Sequence, residues 1–79
     1  MKVRFFAHLR TEAGCAELAL PARGDVTGDE FWLMLEEKIP GIMRHKNSTR
    51  LARNFVYTGQ DDIFHADDEI ALIPPVSGG

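Results

Sequence analysis

The residues best placed to do chemistry stand at the end of the sequence, where Ser77 is followed by Gly78 and Gly79. Glycine has no Cβ, so a terminal glycine pair can lie extended in a channel too narrow for a side chain. The reactive group at such an end is the α-carboxylate of Gly79. A carboxylate is a poor electrophile until it is activated, for example as an acyl adenylate. The sequence therefore predicts a carrier whose terminal carboxylate is activated by an ATP-dependent partner.

Two prolines precede the glycines, and an apolar run over Ile70–Ile73 leads into Pro74 and Pro75 without a polar spacer. Proline fixes φ and favours a polyproline path of about 3.1 Å per residue, so the last six residues could reach on the order of 19 Å from the body. Stiff prolines also lower the entropy lost on binding. We expect a folded domain over residues 1–73 and a flexible tail over residues 74–79. A frayed end or a cloning scar is the alternative reading of the glycines.

Composition limits the class of protein. Seventy-nine residues fit one domain, and 44% apolar with 27% charged residues is typical of globular chains. Cys15 is the only cysteine, which excludes an intrachain disulfide and favours a reducing compartment. A net charge of -3 argues against nucleic acid as a partner. No apolar run approaches the roughly 20 residues of a membrane span, so we expect a cytoplasmic protein with protein partners and no membrane association.

The first part of the chain alternates between apolar and polar residues. Val3, Phe5, Ala7 and Leu9 share one side of this pattern, and a second alternating segment follows Gly14. The pattern predicts a hairpin over residues 3–20 with its turn near residues 11–15.

Helix signals begin at Thr27. Thr27 can cap a helix, Glu30 completes a capping box three residues on, and Val26 and Phe31 occupy the positions of a hydrophobic staple. Pro40 and Gly41 end the pattern. The apolar residues at helical spacing, which would pack on a sheet, are Phe31, Met34, Leu35 and Ile39.

Residues 41–53 are polar and irregular, and predict a loop with one helical turn. Residues 55–57 predict a third strand, and Glu69–Ile73 predicts a last strand with Ile70 and Leu72 facing inward. The order strand, strand, helix, strand, strand predicts an α+β fold, a mixed sheet of four to five strands with one main helix across it. The first and last strands could then pair in parallel at the centre, as in a ubiquitin-like β-grasp.

The run from Asp68 to Gly79 resembles the C-terminus of the small subunit of molybdopterin synthase, the MoaD family of ubiquitin-like sulfur carriers. The opening residues 3–7, followed by Leu9, Arg10 and Gly14, resemble the same family. The likeness covers both ends of the chain and the element order between them, whereas residues 41–53 contribute nothing to it.

This resemblance implies a cycle in which an E1-like adenylating enzyme uses ATP and magnesium to make a Gly79 acyl adenylate. A sulfur donor protein then gives a Gly79 thiocarboxylate. The family inserts its tail, here Pro75, Val76, Ser77 and Gly78, into the large subunit, where sulfur passes to cyclic pyranopterin monophosphate in molybdenum cofactor biosynthesis. The resemblance implies a heterotetramer of two small and two large subunits, with no cofactor bound by this chain.

A partner interface is expected beside the tail root. Phe6 lies on the otherwise polar side of the first strand, near the point where Ile73 would leave the last strand, and exposed apolar patches mark partner sites. The alternative is that Phe6 packs under residues 41–53. The three histidines, His8, His45 and His65, share no ligand spacing, so we predict no metal site.

The sequence is also compatible with three other functions. A thiamin-type sulfur carrier shares the glycine pair but usually lacks the Pro-Pro-Val lead. A ubiquitin-like modifier would pass the activated Gly79 to a lysine amine, and a non-covalent interaction module would use the β-grasp body alone. No Ser-His-Asp set, paired carboxylate site or phosphate-binding glycine loop is evident. We therefore do not expect this chain to catalyse alone; the resemblance makes it the sulfur-donating subunit of a heteromeric sulfurtransferase.

Overall fold

The structure is a computed structural model that describes residues 1–21, 24–59 and 61–74. Its elements in chain order are β1 (Lys2–Phe5), α1 (His8–Ala13), β2 (Glu17–Ala19), β3 (Val26–Thr27), α2 (Gly28–Lys38), a 3₁₀ helix (Ile42–Ser48), β4 (Arg50–Arg53), β5 (Val56–Tyr57), β6 (Ile63–Phe64) and β7 (Glu69–Ile73).

Five of the strands form one mixed sheet in the order β2-β1-β7-β4-β5. The first and last strands, β1 and β7, are parallel, with Val3 opposite Ile70 and Phe5 opposite Leu72, and the other neighbouring pairs are antiparallel. β3 and β6 form a separate two-stranded antiparallel ribbon. The predicted α+β fold of ubiquitin-like β-grasp type, with parallel first and last strands, is confirmed.

One face of the sheet is apolar and packs against α2. The inward residues of the two central strands, Val3, Phe5, Ile70 and Leu72, are buried and join the helix in one core cluster. Their alternation along the sequence places them on one face because successive side chains of a strand point to opposite sides. Burial of each such side chain stabilises the fold by about 1.5 to 3 kcal/mol relative to exposure. The sheet and the helix therefore form the two layers that hold the tail root.

Helix α2 begins with the predicted capping box. The backbone N–H of Thr27 donates to Glu30 Oε1 at 2.9 Å, and the backbone N–H of Glu30 donates to Thr27 Oγ1 at 3.1 Å. These two bonds satisfy backbone groups that have no partner inside the helix. Phe31 and Leu35 are buried as predicted, and the Phe31 ring packs edge-on against Phe64 with centroids 5.3 Å apart. The sequence signals therefore located both the start of the helix and its buried face.

The predicted strand continuation beyond Phe5 is wrong. β1 ends at Phe5, Ala7 has a φ of 53°, and α1 follows over His8–Ala13. Leu9 is buried, as the alternating pattern required, but it reaches the core from a helix. Gly14, with a φ of 76°, closes this helix in the left-handed conformation that glycine adopts without strain. The antiparallel pairing of the two hairpin strands is nevertheless present between β1 and β2.

The prediction of a loop with one helical turn over residues 41–53 included the helical turn but missed a strand. The segment contains the 3₁₀ helix and strand β4, which lies between β7 and β5 in the sheet. The Glu36 carboxylate accepts hydrogen bonds from the backbone N–H groups of Gly41 and Met43 and so fixes the start of the 3₁₀ helix. Ile42 anchors that helix in the core. β4 was missed because it carries an arginine at each end and only one large apolar residue, Leu51.

The third predicted strand is shorter than expected, because β5 begins at Val56 and Phe55 belongs to the preceding turn. β6, over Ile63–Phe64, has no counterpart among the elements predicted from the sequence. Phe64 is buried against α2, so a two-residue strand supplies one core side chain. The last strand has the predicted bounds and inward residues.

Candidate functional site

The root of the tail lies at the end of β7. Ile73 is the last residue of that strand and pairs with Arg50 of β4, and Pro74 beyond it is buried. The predicted tail-insertion residues Pro75, Val76, Ser77 and Gly78, and the predicted sulfur-carrying residue Gly79, lie outside the described residues. The candidate site is therefore the surface around Ile73 and Pro74, where the tail begins.

A shallow apolar groove of about 250 Å³ lies beside the tail root, on the face of the sheet opposite α2. We call it the tail-root groove, and its lining residues are Arg4, Phe6, Ala52, Phe55, Tyr57, Glu69, Ala71 and Ile73. Phe6 and Ile73, the two residues proposed from the sequence for a partner interface, both line it. Phe6 is 41% exposed, and Ala52, from the segment 41–53, lines the same groove. The sequence missed Phe55 and Tyr57.

The register of the sheet explains how these residues come together. Ala52 of β4 lies opposite both Ala71 of β7 and Tyr57 of β5, so the three side chains point to the same face. Small alanines in the two inner strands leave room, and the larger rings of Phe6 and Tyr57 lie on either side. The groove is therefore a consequence of strand register rather than of a cluster in the sequence.

Charged side chains border the groove on the β1 side. Lys2 and Arg4 form ion pairs with Glu17 and Glu69 at N to O distances of 3.7 to 4.0 Å. These four side chains are partly exposed, and exposed ion pairs contribute little to stability. The Arg4 guanidinium also lies 5.6 Å from the centroid of the Phe6 ring. The β1 border is therefore electrically balanced within the chain.

The β4 border is different. The Arg50 guanidinium lies 4.1 Å from the centroid of the Tyr57 ring, a distance at which a cation is attracted to the aromatic face. Within residues 1–21, 24–59 and 61–74, no ion pair involves Arg50. This border therefore presents a positive charge that no carboxylate in the described part of the chain balances.

A hydrogen-bonded network holds the turn between β4 and β5. The backbone N–H of Asn54 donates to the Glu69 carbonyl at 2.8 Å, and the Glu69 N–H donates to Asn54 Oδ1 at 2.9 Å. Asn54 Nδ2 donates to Asp68 Oδ1 at 3.1 Å, and the backbone N–H of His65 donates to Asp68 Oδ2 at 2.8 Å. The turn is thus tied to the start of β7, the strand that carries the tail.

Asp68 at the centre of this network is buried and stays ionised. Burial by itself would raise the pKa of the Asp68 carboxyl, but hydrogen bonds from the His65 backbone and the Asn54 amide outweigh it and lower that pKa. Because the folded pKa is lowered, this group contributes stability above its unfolded pKa and loses it as pH falls through the folded value.

The histidines occupy separate places. His65 Nδ1 lies 2.7 Å from Asp25 Oδ1, whereas His8 and His45 face each other with ring centroids 5.4 Å apart and His45 lies near Glu12. The Arg44 guanidinium beside Glu12 lowers the pKa of that carboxyl.

Among the described residues, no three His, Cys, Asp or Glu side chains are grouped as a metal site. In the same part of the chain, no helix is long and apolar enough to cross a membrane.

The His65 to Asp25 pair gives a prediction about pH. The hydrogen bond to Asp25, with the charge of that carboxylate, raises the pKa of His65. A raised folded pKa contributes stability that is fully present below the unfolded pKa of about 6.5. We expect this small contribution to be lost as pH rises through the folded pKa. As pH rises from the unfolded pKa through the folded pKa of His65, the melting temperature of the wild type should fall slightly. Asp25→Asn should remove that fall. An identical pH profile in the two proteins would contradict the pairing.

A parallel pair of first and last strands at the centre of a mixed sheet, crossed by one main helix, defines a ubiquitin-like β-grasp protein. Residues 3–79 match the ThiS family, and the chain belongs to that family. It is 34% identical to the molybdopterin synthase sulfur carrier subunit of Arabidopsis thaliana over 79 residues, covering 100% of this chain and 82% of that protein. The resemblance inferred from the two ends of the sequence is thereby confirmed.

Two solved structures are similar over nearly their whole length. Small archaeal modifier protein 1 from Haloferax volcanii superposes with a TM-score of 0.86 at 28% identity, covering 100% of this chain and 98% of that one. The protein of the same name from Methanosarcina acetivorans has a TM-score of 0.76 at 28% identity, with 99% and 94% covered. The fold is therefore shared with proteins named as a sulfur carrier subunit and as modifiers.

Proposed function

We propose that this chain is the sulfur carrier subunit of a molybdopterin synthase and that Gly79 carries the sulfur. The observation that carries the proposal is the 34% identity to such a subunit over all 79 residues. The ThiS family match, which extends to residue 79, supports the inclusion of the glycine pair. The position of the tail root beside an apolar groove supports it further, because a carrier must dock while it presents its end.

The proposed chemistry begins with activation. The Gly79 carboxylate attacks the α-phosphorus of ATP on an E1-like enzyme that also holds magnesium, and pyrophosphate leaves. A sulfide-level sulfur nucleophile supplied by a donor protein then attacks the acyl carbon, AMP leaves with the electron pair of the broken C–O bond, and a thiocarboxylate remains. This species is an anionic sulfur nucleophile near neutral pH. The chain supplies the carried atom, and its partners supply the acid and base groups.

Delivery requires a second partner, the synthase large subunit. In this proposal the tail-root groove docks on that subunit, and Pro75, Val76, Ser77 and Gly78 enter its active site with Gly79 at the front. Sulfur then passes to cyclic pyranopterin monophosphate. A complex of two small and two large subunits in the cytoplasm, where Cys15 remains a free thiol, belongs to the same proposal.

A ubiquitin-like modifier is the second candidate, because the similar solved structures are of proteins named as modifiers. The two functions share the acyl adenylate and differ in what attacks it. A sulfur nucleophile gives a thiocarboxylate, whereas a lysine amine gives an isopeptide bond. A thiamin-type carrier would form the same thiocarboxylate but hand its sulfur to a different acceptor.

Mass spectrometry of the protein isolated from its own cell tests the proposal. A terminal glycine in which one oxygen is replaced by sulfur supports a carrier, and attachment to lysines supports a modifier. A chain found only with an unmodified carboxylate, in cells that make molybdopterin, would favour the non-covalent interaction module. Sulfuration of the pyranopterin precursor by the sulfur-loaded chain and a large subunit then separates the molybdopterin carrier from the thiamin type.

Replacement of Phe6 by serine tests the groove as the docking surface. We expect Phe6→Ser to weaken binding of the large subunit about tenfold or more, because aromatic side chains dominate interface energies. The free energy of unfolding should fall by only about 1 kcal/mol, because the ring is already partly exposed. Leu33→Ser, on the exposed side of α2, is the control and should leave affinity unchanged. A Phe6→Ser protein that loses stability but keeps its affinity would contradict the docking role.

A further inference from the structure

The turn between β4 and β5 contains a strained aromatic residue. Asn54 and Phe55 form a two-residue connection, with φ values of 51° and 73°. Tight hairpins need positive φ at both positions, which asparagine and glycine tolerate well. For a bulky residue such as phenylalanine this conformation is an outlier, because the Cβ approaches the backbone carbonyl. Local turn chemistry therefore disfavours phenylalanine at this position.

Core packing does not compensate for the strain. The Phe55 side chain is 84% exposed, the largest value for a large apolar side chain in the described part of the chain. An aromatic ring left in water gains almost none of the free energy that burial provides. Backbone strain that the fold does not need is found preferentially at functional sites. The isolated domain therefore gives no physical reason for an aromatic ring at this position.

The turn holds Phe55 in place before any partner arrives. Its neighbour Asn54 is fixed to Glu69 by two backbone-directed hydrogen bonds and to the buried Asp68 by a third. Preorganisation of this kind reduces the entropy that is lost when a side chain is ordered at an interface. Phenylalanine has only two side-chain torsions, so little conformational entropy is lost when its ring is ordered at an interface.

The position of the ring identifies the kind of partner. Phe55 and Ile73 line the tail-root groove from opposite ends of β7, so a partner that covers the whole groove contacts both the ring and the tail root. Arg50 pairs with Ile73 in the sheet and has no ion-pair partner among the described residues, whereas the cations of the β1 border are balanced. Charge complementarity therefore favours a partner surface that carries a carboxylate near Arg50.

We propose that Phe55 is an anchor residue for the protein that receives the tail, that its ring fills an apolar pocket of that protein, and that the same partner surface carries a carboxylate facing Arg50 at the other end of β4. This inference rests on the proposed function, in which the receiving protein is the synthase large subunit. It adds a specificity element that lies on the β4 to β5 turn, away from the glycine end.

The experiment compares Phe55→Gly, Phe55→Asn and Phe55→Tyr in the full-length chain. Affinity for the purified large subunit from the same cell is measured by calorimetry, and melting temperature is measured in parallel. We expect the glycine and asparagine variants to bind about tenfold or more weakly and to melt no lower than the wild type, because both residues suit the turn. Phe55→Tyr should bind within about threefold of the wild type because it keeps the ring. Leu33→Asn, on the exposed surface of α2, is the apolar-to-polar control and should bind normally.

A second variant tests the charge. Arg50→Gln should slow association with the large subunit and flatten its dependence on salt, because a rim charge acts mainly on the association rate. Unchanged association kinetics would remove the carboxylate from the proposal.

The outcomes separate the two levels of inference. Normal binding by Phe55→Gly beside normal binding by the wild type overturns the anchor and leaves the proposed function intact. A wild-type chain that does not bind the large subunit refutes the proposed function, and the anchor falls with it. Concentration-dependent dimers of the wild type that disappear in Phe55→Gly would assign the ring to a second copy of this chain and overturn the proposal. A lower melting temperature in both Phe55→Gly and Phe55→Asn would show that the ring stabilises the fold itself and would overturn the proposal.

Discussion

A chain that lacks Gly79 is expected to transfer no sulfur while its domain melts at the wild-type temperature. Removal of one residue draws the carboxylate back by about 3.1 Å along an extended path. A misplacement of about 1 Å at a reacting group can already cost about a hundredfold in rate. The fold is unaffected because the last strand ends at Ile73. Addition of one residue after Gly79 should have the same effect, because the Gly79 carboxylate then becomes the carbonyl of a peptide bond.

Two measurements check this prediction. Release of pyrophosphate with the E1-like enzyme reports adenylation, and conversion of the pyranopterin precursor with the large subunit reports sulfur delivery. Cys15→Ser serves as the matched control, since this half-buried thiol lies in the body of the domain and should be dispensable for both steps. Full activity in the shortened or the extended chain would show that the glycyl carboxylate is not the carried group.

Replacement of Phe31 by alanine is expected to have the largest effect on stability. Phe31 is fully buried on α2 and makes edge-on contacts with Trp32 and Phe64 at centroid distances of 6.3 and 5.3 Å. Truncation of a buried phenylalanine costs about 3 to 5 kcal/mol through lost burial and the cavity left behind. Domains are stable by only about 0.05 to 0.15 kcal/mol per residue, or about 4 to 12 kcal/mol for 79 residues, so this loss would remove a quarter or more of the stability.

Chemical denaturation of Phe31→Ala and Leu33→Ala provides the comparison. Leu33 lies two residues further along the same helix and is 58% exposed, so its truncation should change the free energy of unfolding by no more than about 0.5 kcal/mol. Equal losses in the two variants would mean that the buried face of α2 has been assigned incorrectly.

The sequence was most informative where the signal is local. The capping box at Thr27 and Glu30 depends on residues three apart, and it is present as predicted. The alternation over Glu69–Ile73 likewise defined both the last strand and its inward face. The juxtaposition of Phe6 with Ile73 followed from the parallel pairing of β1 with β7, and the structure places both in one groove.

The failures have other causes. Leu9 fits the apolar face of a strand as well as that of a short helix, and only the backbone of Ala7 decides between them. Strand β4 is defined by its neighbours β7 and β5 rather than by its own composition. Phe55 looked like the first residue of a strand because aromatic residues favour strands, whereas its hydrogen-bonded neighbour Asn54 makes it part of a turn. For β4 and Phe55, contacts between distant segments, which no short window contains, were decisive.

The central place of β7 also has a mechanical consequence. The strand that leads into the tail is bonded to β1 on one side and to β4 on the other. A pull on the tail during withdrawal from a cleft would load both rows of hydrogen bonds in shear at once, instead of peeling them open one after another. If the tail enters and leaves a partner as proposed, the domain should therefore remain folded through repeated cycles.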